Sequence, residues 1–200
     1  MSDTPEMPGP DDPRSPYASV TSAMRQLLDQ VTDAHLSGAT PCEEFTVKEL
    51  VEHIVLVQRR CAVVGRGEHW STVEQEAQDG GWAESFGEAS HEVMEAWTDA
   101  AKLEQMFEVP WGEFPGVAIL TAYTGELAVH GWDLAQATGL SFDVDDTVLG
   151  NALMGAKFIP AEGRDDPMMP FGPVVDPGPD ASNLLQLAGW MGRDVVGAGA

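Results

Sequence analysis

Two hundred residues, 43% of them hydrophobic, suffice for one domain with a substantial core, or for a core plus an appended lobe. With 33 acidic residues against 10 basic ones the formal net charge is −23, which repels phosphate backbones and anionic head groups and argues against nucleic acid and membrane partners. Two cysteines, Cys42 and Cys61, are too few for a disulfide framework, and no apolar run approaches the ~18 residues of a membrane span, so a soluble protein of a reduced cytoplasm is expected.

Residues 1–16 are mostly Pro, Asp, Ser and Gly, cannot repay the entropy of ordering, and read as a disordered tail. From Tyr17, the spacing of Val20, Met24, Leu27, Leu28 and Val31 predicts a first helix ending near Gly38. After the turn-like Thr40-Pro41-Cys42, Thr46 and Glu49 form a capping-box pair that starts a second helix. Its apolar stripe, Val47, Leu50, Val51, Ile54, Val55 and Val57, runs on toward Gly65. A polar stretch containing Gly80 and Gly81 follows, of a length that often borders a site.

A third helical pattern turns Val93, Met94, Trp97, Ala100, Ala101 and Leu103 inward, and a Pro/Gly-rich link from Val109 to Gly116 leads to a fourth helix over about Val117–Thr138, stopped by Gly139. Beyond it come a fifth helix near Asp146–Phe158, an irregular stretch from Pro160 to Pro179, and a last helix carrying Leu184, Leu187, Ala188 and Met191. No repeat and no alternating strand pattern strong enough for a sheet is present, so the class is all-α. The expected division is a tail (1–16), a helical body (17–139) and a C-terminal extension packed on it (140–200).

Three residues carry the chemistry. Leu50 and Val57 put His53 on or beside the buried stripe of helix two, while Glu126 and His130, four apart, share one side of helix four with Tyr123, Leu127 and Leu134 or lie close to it. A carboxylate aimed at a core is costly unless paired. A divalent cation removes that cost, and two imidazoles with one carboxylate form a compact triad of the hydrolytic zinc type with an open fourth position. On spacing alone the other reading stays open: a satisfied core histidine beside an ordinary i,i+4 pair.

Thr40-Pro41-Cys42 followed by Leu50-Val51-Glu52-His53, then the string from Glu126 through His130-Gly131-Trp132-Asp133-Leu134-Ala135, resembles the N-terminal domain of mycothiol-dependent maleylpyruvate isomerases and their DinB-like relatives. The likeness covers about Tyr17 to Gly139, and Phe171-Gly172 to Arg193 resembles the C-terminal part of a shorter, actinobacterial-type branch. It implies a four-helix bundle, with His53, Glu126 and His130 as metal ligands. It also implies chemistry in which a small-molecule thiol, such as mycothiol, adds as thiolate to a small electrophilic substrate, giving transfer or cis-trans isomerisation. The larger separate C-terminal domain that helps shape the isomerase's substrate site is not recognisable in this sequence, so the resemblance does not extend to the isomerase's substrate. Zinc is the first choice of metal, while iron(II), nickel and manganese suit the same ligands. Metal-hydroxide hydrolysis and a non-catalytic, metal-stapled binding or regulatory module are the rival readings.

Around the triad, Asp133 either orients a ligand ring as an acceptor or is a solvated helix-end acid. Arg60, seven residues after His53, either binds a carboxylate of cofactor or substrate or makes a surface ion pair. Cys42 reads as a buried structural thiol rather than a nucleophile or fourth ligand. His35, His69 and His91 show no ligand spacing, with His69 the one that a loop could bring to the metal. Trp97 and Trp132 are assigned to packing. The oligomeric state is not legible, and a homodimer is one open arrangement.

Overall fold

The structure is a computed structural model that describes residues 12–164 and 171–196. Residues 1–11 of the expected tail, and residues 165–170 of the expected irregular stretch, lie outside the described residues. The first helix, α1 (Arg14–Leu28), begins inside that expected tail. Asp12 accepts the Arg14 backbone N–H at 2.9 Å and pairs with its guanidinium at 2.6 Å, while Arg14 Nη1 reaches the Thr98 carbonyl at 2.7 Å. A polar composition thus enters the fold through one charged clamp. Tyr17, Val20, Met24, Leu27 and Leu28 are buried as the spacing requires.

The expected end of α1 near Gly38 is wrong by ten residues. After Leu28 the bonds tighten to the i+3 type, Gln30 N to Leu27 O and Val31 N to Leu28 O, and His35 Nδ1 then accepts the Thr32 N–H at 3.1 Å. Asp29, Thr32 and Asp33 compete locally with helix formation, and Val31, only half-buried, anchors no further turn.

Helix α2 (Val47–Gly65) starts at the expected capping box: Thr46 Oγ1 accepts the Glu49 N–H at 3.4 Å, and Glu49 Oε2 accepts the Thr46 N–H at 2.8 Å. Helix α3 (Trp82–Ala96) buries Trp82, Phe86, Ala89, Val93 and Ala96. Trp97 packs across Gly65 and donates its indole N–H to the Cys61 carbonyl at 3.0 Å, drawing α2 and α3 together. Ala100–Leu103 forms a short 3-10 turn rather than a continuation of α3.

The link before the fourth helix contains a small antiparallel hairpin, β1 (Met106–Val109) and β2 (Gly112–Pro115), turning at Pro110-Trp111. Four-residue strands with mostly exposed side chains are too short to show an alternation in sequence, which is why the sequence reading found none. Helix α4 (Gly116–Thr138) ends at Gly139, whose φ of +71° supplies the left-handed cap and whose N–H returns to Ala135 O. The expected fifth helix is a 3-10 turn at Asp146–Leu149 followed by α5 (Gly150–Ala156), and the last helix is α6 (Asn183–Trp190).

The fold is mostly helical. Helices α1 and α2 each pack against α3 and α4, and α5 and α6 cover α4. One apolar core joins these elements, and a satellite cluster of Trp132, Ala188 and Val195 fixes the C-terminal segment to α4. Among the described residues, no helix is long and apolar enough to cross a membrane.

Candidate metal centre

Helices α2 and α4 pack side by side, and their contact brings His53 to Glu126 and His130. His53 Nε2 lies 3.4 Å from Glu126 Oε1, and the two imidazole rings meet edge to face at 5.0 Å. One ligand atom from each of the three residues lies within 4.8 Å of the others. A cation bound at about 2.0–2.2 Å separates tetrahedral ligand atoms by roughly 3.5 Å, so the donor set fits with small side-chain adjustments.

Accessibility falls from one side of the centre to the other. Side-chain exposure is 29% at Glu126, 21% at His53, 10% at His130 and zero at Asp133. The site therefore opens past Glu126 and His53 and closes behind His130. Phe45 stacks on the His53 ring at 4.9 Å and an interplanar angle of 27°, walling one side. Thr40 Oγ1, donating within 2.8 Å of both Cys42 O and Phe45 O, winds the turn that carries Phe45.

The electrostatics favour an ionised Glu126. Burial opposes its charge most strongly, yet the His53 hydrogen bond and the neighbouring His53, His130 and Arg60 together hold the carboxyl below its ordinary value. At Asp133 burial again opposes ionisation, and hydrogen bonds from His130 and Arg193 outweigh it. Since an ionised carboxylate only accepts, Asp133 Oδ2 accepts from His130 Nδ1–H at 3.1 Å, and in the neutral ring the lone pair then sits on Nε2.

Both oxygens of Asp133 are also held by Arg193, through Nε at 2.8 Å and Nη2 at 2.9 Å. Asp133 is thus a buried acceptor bonded to the His130 ring and to Arg193, and not a solvated helix-end acid. Cys42, His130 and Asp133 form a second grouping with metal-ligand atoms close together. Its carboxylate is already neutralised by Arg193, its imidazole nitrogen is engaged, and burial pushes the Cys42 thiol up, so this grouping suits a cation poorly. Cys42 is buried, as expected for a structural thiol.

Arg60 has no surface ion pair among the described residues. Its guanidinium lies 5.2 Å from the centroid of the Trp70 ring, its Nε donates to Val73 O at 3.4 Å, and its charge reaches Glu126. The loop does not bring His69 to the centre: its ring lies 2.7 Å from Ser71 Oγ and 3.5 Å from Glu108. His35 and His91 are likewise engaged locally, at Thr32 and Glu95. Trp97 and Trp132 are buried packing residues.

Sequence reasoning missed Phe45 and Arg193. Phe45 precedes the helix cap and belongs to no periodic stripe. Arg193 is sixty residues from its partner, and its only signal was the need of a carboxylate amid Trp132, Leu134 and Ala135 for a positive charge.

Residues 17–135 match the family model described as the mycothiol maleylpyruvate isomerase N-terminal domain. The chain is also similar to an uncharacterised protein of Mycobacterium tuberculosis strain CDC 1551 / Oshkosh, at 31% identity over 186 residues, covering 92% of this chain and 99% of the relative. An uncharacterised protein of strain ATCC 25618 / H37Rv matches with the same 31% identity, 92% and 99% coverage. No solved structure matches the chain.

Proposed function

Since this chain belongs to the mycothiol maleylpyruvate isomerase N-terminal domain family, we propose that His53, Glu126 and His130 hold one divalent cation, zinc before other metals, for thiol-dependent transfer to, or isomerisation of, a small electrophile. The observation that carries this reading is the convergence of two imidazoles and one ionised carboxylate from α2 and α4, part-exposed at Glu126 and His53 and buried at His130. The mutual packing of α1 to α4 supports a DinB-like four-helix bundle over residues 17–139, with the described residues after 139 as an extension packed on it.

A bound divalent cation supplies charge that favours thiolate over thiol at neutral pH, and thiolate is the nucleophile. The protein's own residues do the rest. Asp133 holds the His130 tautomer, Phe45 shields the His53 ring from water, and Glu126 offsets the cation's charge. Arg60, stacked on Trp70 beside Glu126, receives an anionic group of the thiol or its substrate. Three protein ligands would leave a position open on a four-coordinate ion, which favours an enzyme over a metal staple. Hydrolysis ranks lower because Asp133, a further carboxylate beside the triad, is already committed to His130 and Arg193 and is not available as a general base.

Titrating the cobalt-substituted protein with mycothiol, glutathione and simple thiols tests the reading. Binding should add an intense near-ultraviolet band, strengthen as pH rises toward the free thiol pKa of ~8.5, and vanish in metal-free protein. A spectrum unchanged by every thiol refutes thiol chemistry and leaves a structural metal as the better account.

A further inference from the structure

We infer that the C-terminal segment is a working part of the metal centre: Arg193 positions His130 through Asp133, so that cation binding and docking of residues 171–196 are thermodynamically linked. This inference rests on the metal-centre reading above. The family match ends at residue 135, so the residue that completes the chain of contacts lies outside the matched domain.

The contacts run in one direction from the segment to the ligand. Arg193 grips Asp133 with two parallel bonds, at 2.8 and 2.9 Å, and Asp133 Oδ2 accepts the His130 Nδ1–H at 3.1 Å. Asp133 is wholly buried, and Arg193 keeps only 12% of its side-chain exposure. Among the described residues no other side chain bonds this carboxylate. Without the guanidinium, a buried anion keeps a single partner, and it regains solvation by turning away from the imidazole. That movement frees the His130 ring to rotate, and an outer partner that orients a ligating histidine is typically worth roughly 10–100-fold in metal affinity.

Arg193 is itself held by the segment that carries it. Its N–H donates to Ala188 O at 3.0 Å and its Nη1 to Met191 O at 3.2 Å, just past the end of α6. The first turn of α6 is fixed by Asp146, whose two carboxylate oxygens accept the Asn183 and Leu184 N–H groups at 2.9 Å each. Ala188 and Val195 pack on Trp132, next to Asp133. The Val175 N–H bonds Gly189 O at 2.9 Å, tying the preceding strand of chain to α6. Docking of this segment therefore places the guanidinium, and undocking removes it. By reciprocity, whatever docking contributes to cation affinity, the cation returns to docking.

A purely structural ion pair would set stability alone, so the test reads metal affinity and segment protection in the full chain. R193Q leaves an unpaired buried carboxylate and risks misfolding, whereas D133N/R193Q replaces the ion pair by a neutral pair of similar shape. Zinc affinity is measured by competition with a chromophoric chelator, and amide hydrogen exchange over residues 183–196 is followed with and without zinc. The wild-type chain should show slowed exchange there on zinc binding. D133N/R193Q should bind zinc roughly 10–100-fold more weakly, no worse than D133N alone, with exchange no longer responsive to zinc. Near wild-type zinc affinity in the double variant, or wild-type exchange indifferent to bound zinc, overturns the inference and leaves the metal centre standing. A wild-type chain that binds no zinc overturns the metal centre itself and the inference with it.

Discussion

Replacing Glu126 by Gln separates the site's electrostatics from the fold's stability. Glu126 lies 3.4 Å from His53 Nε2 and keeps 29% of its side-chain exposure. A part-buried pair whose ion-pair gain is offset by desolvation contributes about 0–1 kcal/mol, and the amide keeps the shape, so the apo melting temperature should move by a few degrees at most. The effect on a cation is larger. Even at the dielectric constant of water, a unit negative charge about 2 Å from a dication is worth roughly 4 kcal/mol, and an amide oxygen recovers only part of it. A tenfold loss of affinity, about 1.4 kcal/mol, is therefore the least that E126Q should show. Chelator competition gives the affinity and thermal melts of the apo protein give the stability. Wild-type affinity in a folded E126Q would refute the assignment of Glu126, and a collapse of apo stability would refute the claim that its role lies in binding rather than folding.

Two further outcomes test the packing around the site. Burial pushes the Cys61 thiol up to about 12, so the native chain should leave it unreactive toward an aromatic disulfide at pH 8, with two thiols released in urea. Because the raised value belongs to the folded state, its contribution to stability is complete below the unfolded thiol value of ~8.5 and is lost as pH rises through about 12; urea midpoints that fail to decline across that window contradict it. At Gly65 an added Cβ would fall 2.5 Å from Trp97 Nε1, so G65A should cost about 1–3 kcal/mol in a urea titration, while G150A, with nothing within 4 Å, should be neutral or mildly stabilising.

The helices were legible wherever a local rule acted alone. The Thr46–Glu49 box and the Gly139 cap bracket α2 and α4, and those two helices carry the triad. Where two rules competed, the sequence reading overshot: the stripe through Leu28 ran on to Val31, but Thr32 and Asp33 diverted the backbone into turns. The triad was legible because His53 lies on its stripe and Glu126 and His130 stand one turn apart. Its surroundings were not, because the stack of Phe45 on His53 and the grip of Arg193 on Asp133 arise from tertiary contacts that leave no period in the chain. The same holds for Arg60, whose ring partner Trp70 comes from the loop after α2.

Anomalous diffraction from zinc-loaded crystals, collected on both sides of the metal edge, tests the central claim most directly. The account predicts a dominant peak about 2.0–2.2 Å from His53 Nε2, a Glu126 carboxylate oxygen and His130 Nε2, with Asp133 still on the far nitrogen of that ring. A dominant peak bound instead by Cys42 with Asp133, or only by exposed carboxylates, would contradict it.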